Sequence, residues 1–224
     1  LSLSITVAKP YAMCNQGPRR LYTGNMEKRS ISYKAGEDCG TTASYSLWYG
    51  QDRLQSEIVD EVAGLRHAEP NGINVNLAIM SLGENQEDAW IVKREALQRG
   101  LGTTAEYRIV TTSVGDSHGF MFPGVDCLGK AVPDKYAALG KDGLPIVGRI
   151  IPSGGVVIGK VYVRKCRRKV TYRCASKFLP NDSESFTVYK VDVYPEAPRV
   201  PTVVRVVLHR TNHVGVGDKL FLAH

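Results

Sequence analysis

Between Asp142 and Lys160 the chain changes direction more often than any helix allows. Asp142-Gly143-Leu144-Pro145 reads as a turn. Ile146-Val147-Gly148, Ile150-Ile151-Pro152 and Val156-Val157-Ile158-Gly159-Lys160 follow as brief apolar strands parted by glycine. Closely spaced short strands with glycine at the corners point to a barrel. Further strands are expected over Thr104–Thr112, Phe186–Val193 and Thr202–Leu208, all rich in β-branched residues. Residues 113–135 read as a loop, because Gly, Pro and Asp recur there. No repeat or linker divides the chain, so one intertwined domain is expected.

Helical signals are fewer. Pro18 suits the first turn of a helix that runs on from Arg19. Arg19, Arg20, Lys28 and Arg29, opposed only by Glu27, give that segment a basic surface, which reads either as a solvated face or as a contact for an anion. Lys93 to Arg99 fits a single helix stopped by Gly100 and Gly102. Residues 1–12 read as an extended entry. Residues 52–65 fit a short helix or a loop, closed by Pro70-Asn71-Gly72.

Ile73 to Leu82 is apolar and reads as a buried strand, with Trp90-Ile91-Val92 continuing the core. Between them lies Gly83-Glu84-Asn85-Gln86-Glu87-Asp88-Ala89. Two adjacent carboxylates thus stand where a strand meets a turn, a place where scaffolds present polar chemistry. Taken alone, the pair reads equally as two solvated acids on a polar turn.

The chain carries a formal charge of +7 and an isoelectric point near 9.2, which favours a polyanionic partner. No apolar run approaches the roughly 18 residues of a membrane span. The first residue is Leu1, not Met, and the chain shows no signal peptide, so it is expected to be a fragment, a processed product or a segment of something longer. The cysteines, Cys14, Cys39, Cys127, Cys166 and Cys174, form no C-x-x-C pair, which argues for free thiols in an intracellular, reducing compartment. A zinc site on Cys166 and Cys174 lacks a second close pair. Val161 to Arg173 carries Arg164, Lys165, Arg167, Arg168, Lys169 and Arg173 with no acid, and reads as a solvated hairpin or as a nucleic-acid contact. No P-loop, G-x-S-x-G or H-E-x-x-H is present, and the scattered histidines accompany no nucleophile signature. Bases at both ends and an acidic pair between them would suit an anionic ligand with a divalent metal.

Four blocks, in order, resemble the second-largest (β-type) subunit of multisubunit DNA-dependent RNA polymerases. The first is Asn15-Gln16-Gly17-Pro18-Arg19 with Asn25-Met26-Glu27-Lys28. The second is Gly72-Ile73-Asn74 through Gly83–Ile91, with Arg99-Gly100. The third is Asp142-Gly143-Leu144 and Gly148 with Val157-Ile158-Gly159-Lys160. The fourth is Val204-Arg205-Val206 with Gly217-Asp218-Lys219 and His224. The resemblance runs from about residue 8 to the end; each block is weak alone, and four in order are highly specific.

The resemblance implies a mixed α/β, β-rich fold: a double-psi β-barrel with helical and loop elaborations, with residues 1–224 forming one hybrid-binding region of a longer subunit. It implies that Arg19 contacts the phosphates of the incoming nucleotide, where a planar guanidinium binds oxygens bidentately. Glu87 and Asp88 correspond to an acidic pair near the second Mg²⁺, with Asp88 acting on it through water, and Mg²⁺ is held mainly by the largest (β′-type) subunit. Lys219 corresponds to a lysine approaching the RNA 3′ end. Lys28 and Arg29 line the RNA path. The implied partners are the largest subunit, the rest of the β-type subunit, template DNA, RNA and nucleoside triphosphates, with no membrane; the chain alone is expected to be inactive.

Departures accompany the match. Arg29 stands where the family has Gln, Ala223 where it has Arg, and Glu84 where it has Tyr. A second lysine and a later arginine fall beyond His224. Such drift points to a viral, phage or plasmid polymerase. The rival expectations are a non-catalytic barrel that serves as a scaffold or nucleic-acid-binding module, and a single-chain polymerase of RNA-silencing type.

Overall fold

The computed structural model describes residues 12–27, 29–31, 43–51, 72–87, 89–115, 118–166, 169–181, 184–194 and 202–220. The expected features at residues 1–11 and 52–65 lie outside that set. The chain divides into two compact units. One comprises Leu1–Cys39, Ser44–Glu106 and Thr211–His224; the other comprises Gly40–Ala43 and Tyr107–Arg210.

The first unit opens with a short 3-10 turn, Ala12–Cys14, and helix α1, Gly17–Glu27. Pro18 lies in its first turn, where a missing N–H breaks no helical bond. The N–H groups of Arg19 and Arg20 instead reach the Gln16 carbonyl at 3.1 and 3.3 Å. Gly17, Arg20, Thr23 and Gly24, three or four residues apart, form its less exposed stripe. Strand β1, Ala43–Leu47, follows, and Trp48 donates its N–H to the Thr103 carbonyl at 3.1 Å.

Helix α2, Arg94–Gln98, falls within the expected span. Its end is a Schellman turn: Gly100 N–H bonds Leu97 C=O at 2.9 Å, and Leu101 N–H bonds Ala96 C=O at 3.0 Å. Gly100 takes φ 97°, which a side chain resists, and a Cβ there would stand 2.5 Å from the Tyr49 ring.

The expected buried strand over Ile73–Leu82 does not form. Residues 72–82 join no ladder, and Val75, Leu77, Ile79, Met80 and Leu82 are exposed, Ile79 at 95%. Trp90 and Ile91 are exposed too. An apolar run signals a need for cover, but a strand also needs a neighbour for its N–H and C=O groups. Here the start of the run is tied instead to a loop, through Gln51 N–H to Gly72 C=O and Asn74 N–H to the Gln51 side chain, both 2.9 Å.

Strands β2, Thr104–Val114, and β10, Thr202–Asn212, pass from one unit to the other. The second unit adds β3, His118–Phe120; the one-turn helix α3, Val125–Leu128; β4, Ile150–Ile151; β5, Val156–Ile158; β6, Lys160–Cys166; β7, Lys169–Cys174; β8, Lys177–Phe178; and β9, Phe186–Tyr194. Residues 113–135 are thus not all loop, since β3 and α3 form there. The sheets are β1-β2-β10-β9-β4, β3-β6-β7 and β5-β8. The fold is β-rich with few helices, as expected.

Alternate residues of β10, Val204, Val206 and Leu208, are fully buried with Ile151, Val157, Ile158, Phe186 and Val188. Val204, Val206 and Leu208 share one face of the strand, and Val207 between them is buried too, so β10 is covered on both faces there. The buried Phe186 ring lies near the Arg108 and Arg210 guanidinium carbons, 4.8 and 5.2 Å from its centroid. A second cluster gathers Tyr136, Leu139 and Val156.

Three backbone segments meet at two glycines. Gly159 N–H donates to Gly143 C=O at 2.7 Å, and Met121 N–H donates to Gly159 C=O at 3.3 Å. A Cβ on Gly143 (φ 79°) would lie 2.6 Å from Met121 backbone, and one on Gly159 would lie 2.8 Å from the Met121 carbonyl oxygen. We expect Gly159→Ala to destabilise the chain by about 1–3 kcal/mol, the usual cost of forcing an extra carbon into a packed site. Gly143→Ala adds the left-handed φ to the same clash and should cost more. Chemical denaturation of both variants checks the order.

Candidate nucleotide and nucleic-acid interface

Arg19 lies on the exposed side of α1. Its guanidinium carbon sits 5.7 Å from the Tyr22 ring centroid, a contact between residues one turn apart. Arg19, Tyr22, Asn25, Met26 and Arg29 line one shallow concavity of about 370 Å³. Arg29 follows the helix in a turn closed by its N–H to Met26 C=O, 3.0 Å. The structure therefore brings Arg19 and Arg29 to one surface. Lys28 and Asp88 lie outside the described residues.

The acidic turn is shaped by Asn85. Its side-chain oxygen accepts the Leu82 N–H at 2.7 Å, and its amide nitrogen donates to Met80 C=O at 2.9 Å. Such local side-chain bonds stand in for a backbone turn. Glu87, exposed, has φ 56°, the only positive value at a non-glycine among the described residues. For an L-residue this region costs about 1 kcal/mol or more.

Lys219 is exposed just after a tight turn. Gly215 N–H donates to the Asp218 carboxylate at 2.8 Å, Asp218 N–H returns a bond to Gly215 C=O at 3.3 Å, and Gly217 has φ 99°. Asp218 thus closes the turn that presents Lys219. Nearby, the Thr103 hydroxyl lies 3.3 Å from His213 Nδ1. Among the described residues, no hydrogen bond or ion pair joins any two of Arg19, Glu87 and Lys219.

Metal chemistry can be judged from the donors present. Among the described residues no three His, Cys, Asp or Glu side chains gather to hold a metal. Glu87 offers a hard, exposed oxygen donor, which fits contact with an Mg²⁺ that keeps its waters but is no cage by itself. The zinc reading fails on register. Cys166 pairs with Lys169 and Cys174 with Val161, at opposite ends of the β6-β7 hairpin. That register puts their backbones roughly 16 Å apart at about 3.3 Å per residue, too far apart to share one ion.

One polar cluster carries no signal in the sequence. Tyr136 Oη lies 3.4 Å from Cys174 Sγ, and Sγ lies 3.2 Å from Ser176 Oγ. Burial, then the bond to Cys174, raises the tyrosine above its ordinary range. Burial also opposes the Cys174 thiolate, but bonds with Ser176 and Tyr136 and the charge of Lys135 bring the thiol below its usual value. Both shifts describe one polar contact, in which burial and the neighbouring sulfur keep the tyrosine protonated. Tyr136 lies 38 residues from Cys174 in the sequence, and the three residues form no motif.

A family model described as RNA polymerase Rpb2, domain 6, matches residues 5–224. The chain belongs to this family. It is 26% identical over 215 residues to the probable DNA-directed RNA polymerase II subunit RPB2 homolog of Invertebrate iridescent virus 3, covering 94% of this chain and 18% of that protein. It is 29% identical over 160 residues to DNA-directed RNA polymerase subunit Rpo2 of Saccharolobus solfataricus, covering 68% and 14%. It is 28% identical over 161 residues to DNA-directed RNA polymerase I subunit RPA2 of Neurospora crassa, covering 66% and 13%. The chain spans less than a fifth of the length of these curated relatives. Among the described residues no helix is long and apolar enough to cross a membrane.

The strained Glu87 and the Asn85 clamp separate shape from chemistry. Glu87→Gly should raise stability by about 1 kcal/mol, because glycine accepts the left-handed φ freely. Asn85→Ala should lower it by about 1 kcal/mol through loss of the two turn bonds. Thermal melts of the two variants should move in opposite directions; a Glu87→Gly variant that melts lower than the parent shows that the side chain, not the backbone, holds the turn.

Proposed function

We propose that this chain is a catalytic-core part of a second-largest subunit of a DNA-directed RNA polymerase, acting in nucleotidyl transfer within the assembled enzyme. The observation that carries the reading is a family match spanning nearly the whole chain, together with four motif blocks in the family's order. In this reading the β-rich fold is a double-psi barrel with helical and loop elaborations, and residues 1–224 act as one hybrid-binding region. The virus relative, matched over most of this chain, supports a viral source.

The roles follow from charge and placement. Arg19 binds the incoming triphosphate through its planar fork, and Tyr22 beside it limits the rotamers the guanidinium must give up. Lys28 and Arg29 neutralise phosphates along the RNA, Arg29 by ionic contact where the family has an amide. Lys219, set by the Asp218 turn, approaches the RNA 3′ end. Glu87 and Asp88 would stand by the second Mg²⁺ and act on it through water. When bound, and held mainly by the largest subunit, Mg²⁺ supplies neutralisation of the triphosphate charge. The chain's own contribution is positioning and charge, so it is inactive without the largest subunit, the rest of its own subunit, template and nucleotide. Its setting is intracellular.

The test is elongation by enzyme assembled with Arg19→Ala or Asp88→Ala. Each should slow nucleotide addition by about a hundredfold, the scale of removing one preorganised charge contact. Arg19→Lys should recover only part, because a point charge replaces a bidentate fork. Co-purification with the partner subunits should be unchanged. Normal elongation by both alanine variants overturns these roles and leaves a non-catalytic scaffold as the better reading.

A further inference from the structure

Strands β3, β6 and β7 set a row of side chains across one sheet face. His118 pairs with Tyr162, and Tyr162 pairs with Arg173 on its other side. Arg164, two residues along β6, faces the same way and pairs with Thr171. Arg164 and Arg173 are thus diagonal neighbours at roughly 7–8 Å. The His118 and Tyr162 rings meet edge to face with centroids 5.0 Å apart. Arg164, Thr171 and Arg173 are exposed, and the rings are partly exposed. No carboxylate among the described residues pairs with either arginine. The surrounding stretch, Lys160 to Lys177, contains no Asp or Glu at all.

This combination has a specific chemistry. Two exposed guanidinium groups on one face attract adjacent phosphates of a polyanion. Aromatic rings in the same row offer a surface for bases that are not already stacked in a duplex. A protein partner would have to supply a run of acids spaced like phosphates, and the rings would gain nothing particular from it. We propose that this sheet face binds single-stranded nucleic acid, with Arg164 and Arg173 on successive phosphates and Tyr162 against a base. The surface is separate in sequence from Arg19, Glu87 and Lys219 and does not depend on the polymerase reading. A negative result here leaves that reading standing, because Arg19 in the assembled enzyme tests it.

The experiment uses the whole chain and a labelled oligothymidylate, followed by fluorescence anisotropy over a salt series. Arg164→Gln with Arg173→Gln should weaken binding about tenfold and flatten the salt dependence by about 1.4, two phosphates at about 0.7 each for a single strand. Tyr162→Ala should weaken it about fivefold or more, through loss of base stacking. A charge-matched control, Lys130→Gln with Lys141→Gln, removes two exposed bases elsewhere and should leave affinity nearly unchanged. Melting curves confirm that each variant is folded. The proposal is overturned if the arginine pair changes neither affinity nor salt slope. It is equally overturned if the control loses as much, or if the parent binds a duplex as tightly as the single strand.

Discussion

The meeting of Met121, Gly143 and Gly159 is the constraint on which the second unit depends. Hydrogen bonds from Gly159 N–H to Gly143 and from Met121 N–H to Gly159 hold three remote segments at backbone distance. Only glycine allows that approach, since a Cβ on either residue would collide with Met121 backbone. Once the crossing is made, the chain on each side is placed. Leu144 and Ile158 enter or flank the main core, while Val161 begins the hairpin and is itself buried. The two glycines belong to blocks singled out for a functional resemblance, yet their physical task is packing. A motif can identify a family through residues that never touch a ligand.

The charged residues of the candidate site depend on a different device. Asn85 and Asp218 each bond backbone groups within their own turns, and those turns present Glu87 and Lys219. Turn side chains of this kind fix backbone shape without a core beneath them. That matters here because the segment just before the Asn85 turn is poorly covered. Val75, Leu77, Ile79, Met80 and Leu82 expose apolar surface in one continuous run. Such a run marks a surface meant for cover. Under the polymerase reading, its cover is the remainder of the enzyme, and the local turn bonds keep the charged residues in shape before that cover arrives.

How much was legible in the sequence follows from the range of each signal. Local signals read well: Pro18 marked α1, Gly100 marked the end of α2, and the β-branched runs marked β2, β9 and β10. Each depends on residues within a few positions. The apolar run at Ile73–Leu82 misled because hydrophobicity states a need for burial and not who meets it. The β3 strand and α3 were hidden because Gly, Pro and Asp dominate their neighbourhood while the pairing that makes β3, with β6, lies some forty residues away. The Tyr136–Cys174–Ser176 cluster was invisible for the same reason. Of the proposed site, Arg19, Glu87 and Lys219 were named through resemblance, whereas the clamps that shape the turns at Glu87 and Lys219 appear only in three dimensions.

Under the polymerase reading, the distribution of charge suits a chain that completes a site. A self-sufficient metal centre would gather several carboxylates, as Mg²⁺ or Ca²⁺ cages do. Here no such group forms among the described residues, and Arg19 and Lys219 are exposed without carboxylate partners there. An exposed arginine or lysine left unpaired adds little to folding, but it stabilises an anion that arrives with its own desolvation partly paid by other groups. Phosphoryl transfer suits that division, because the barrier is lowered chiefly by positioned positive charge and little covalent chemistry is asked of the protein. Under the polymerase reading, Arg19 on α1 and Lys219 after its turn are cations that an assembly would bring to one phosphate.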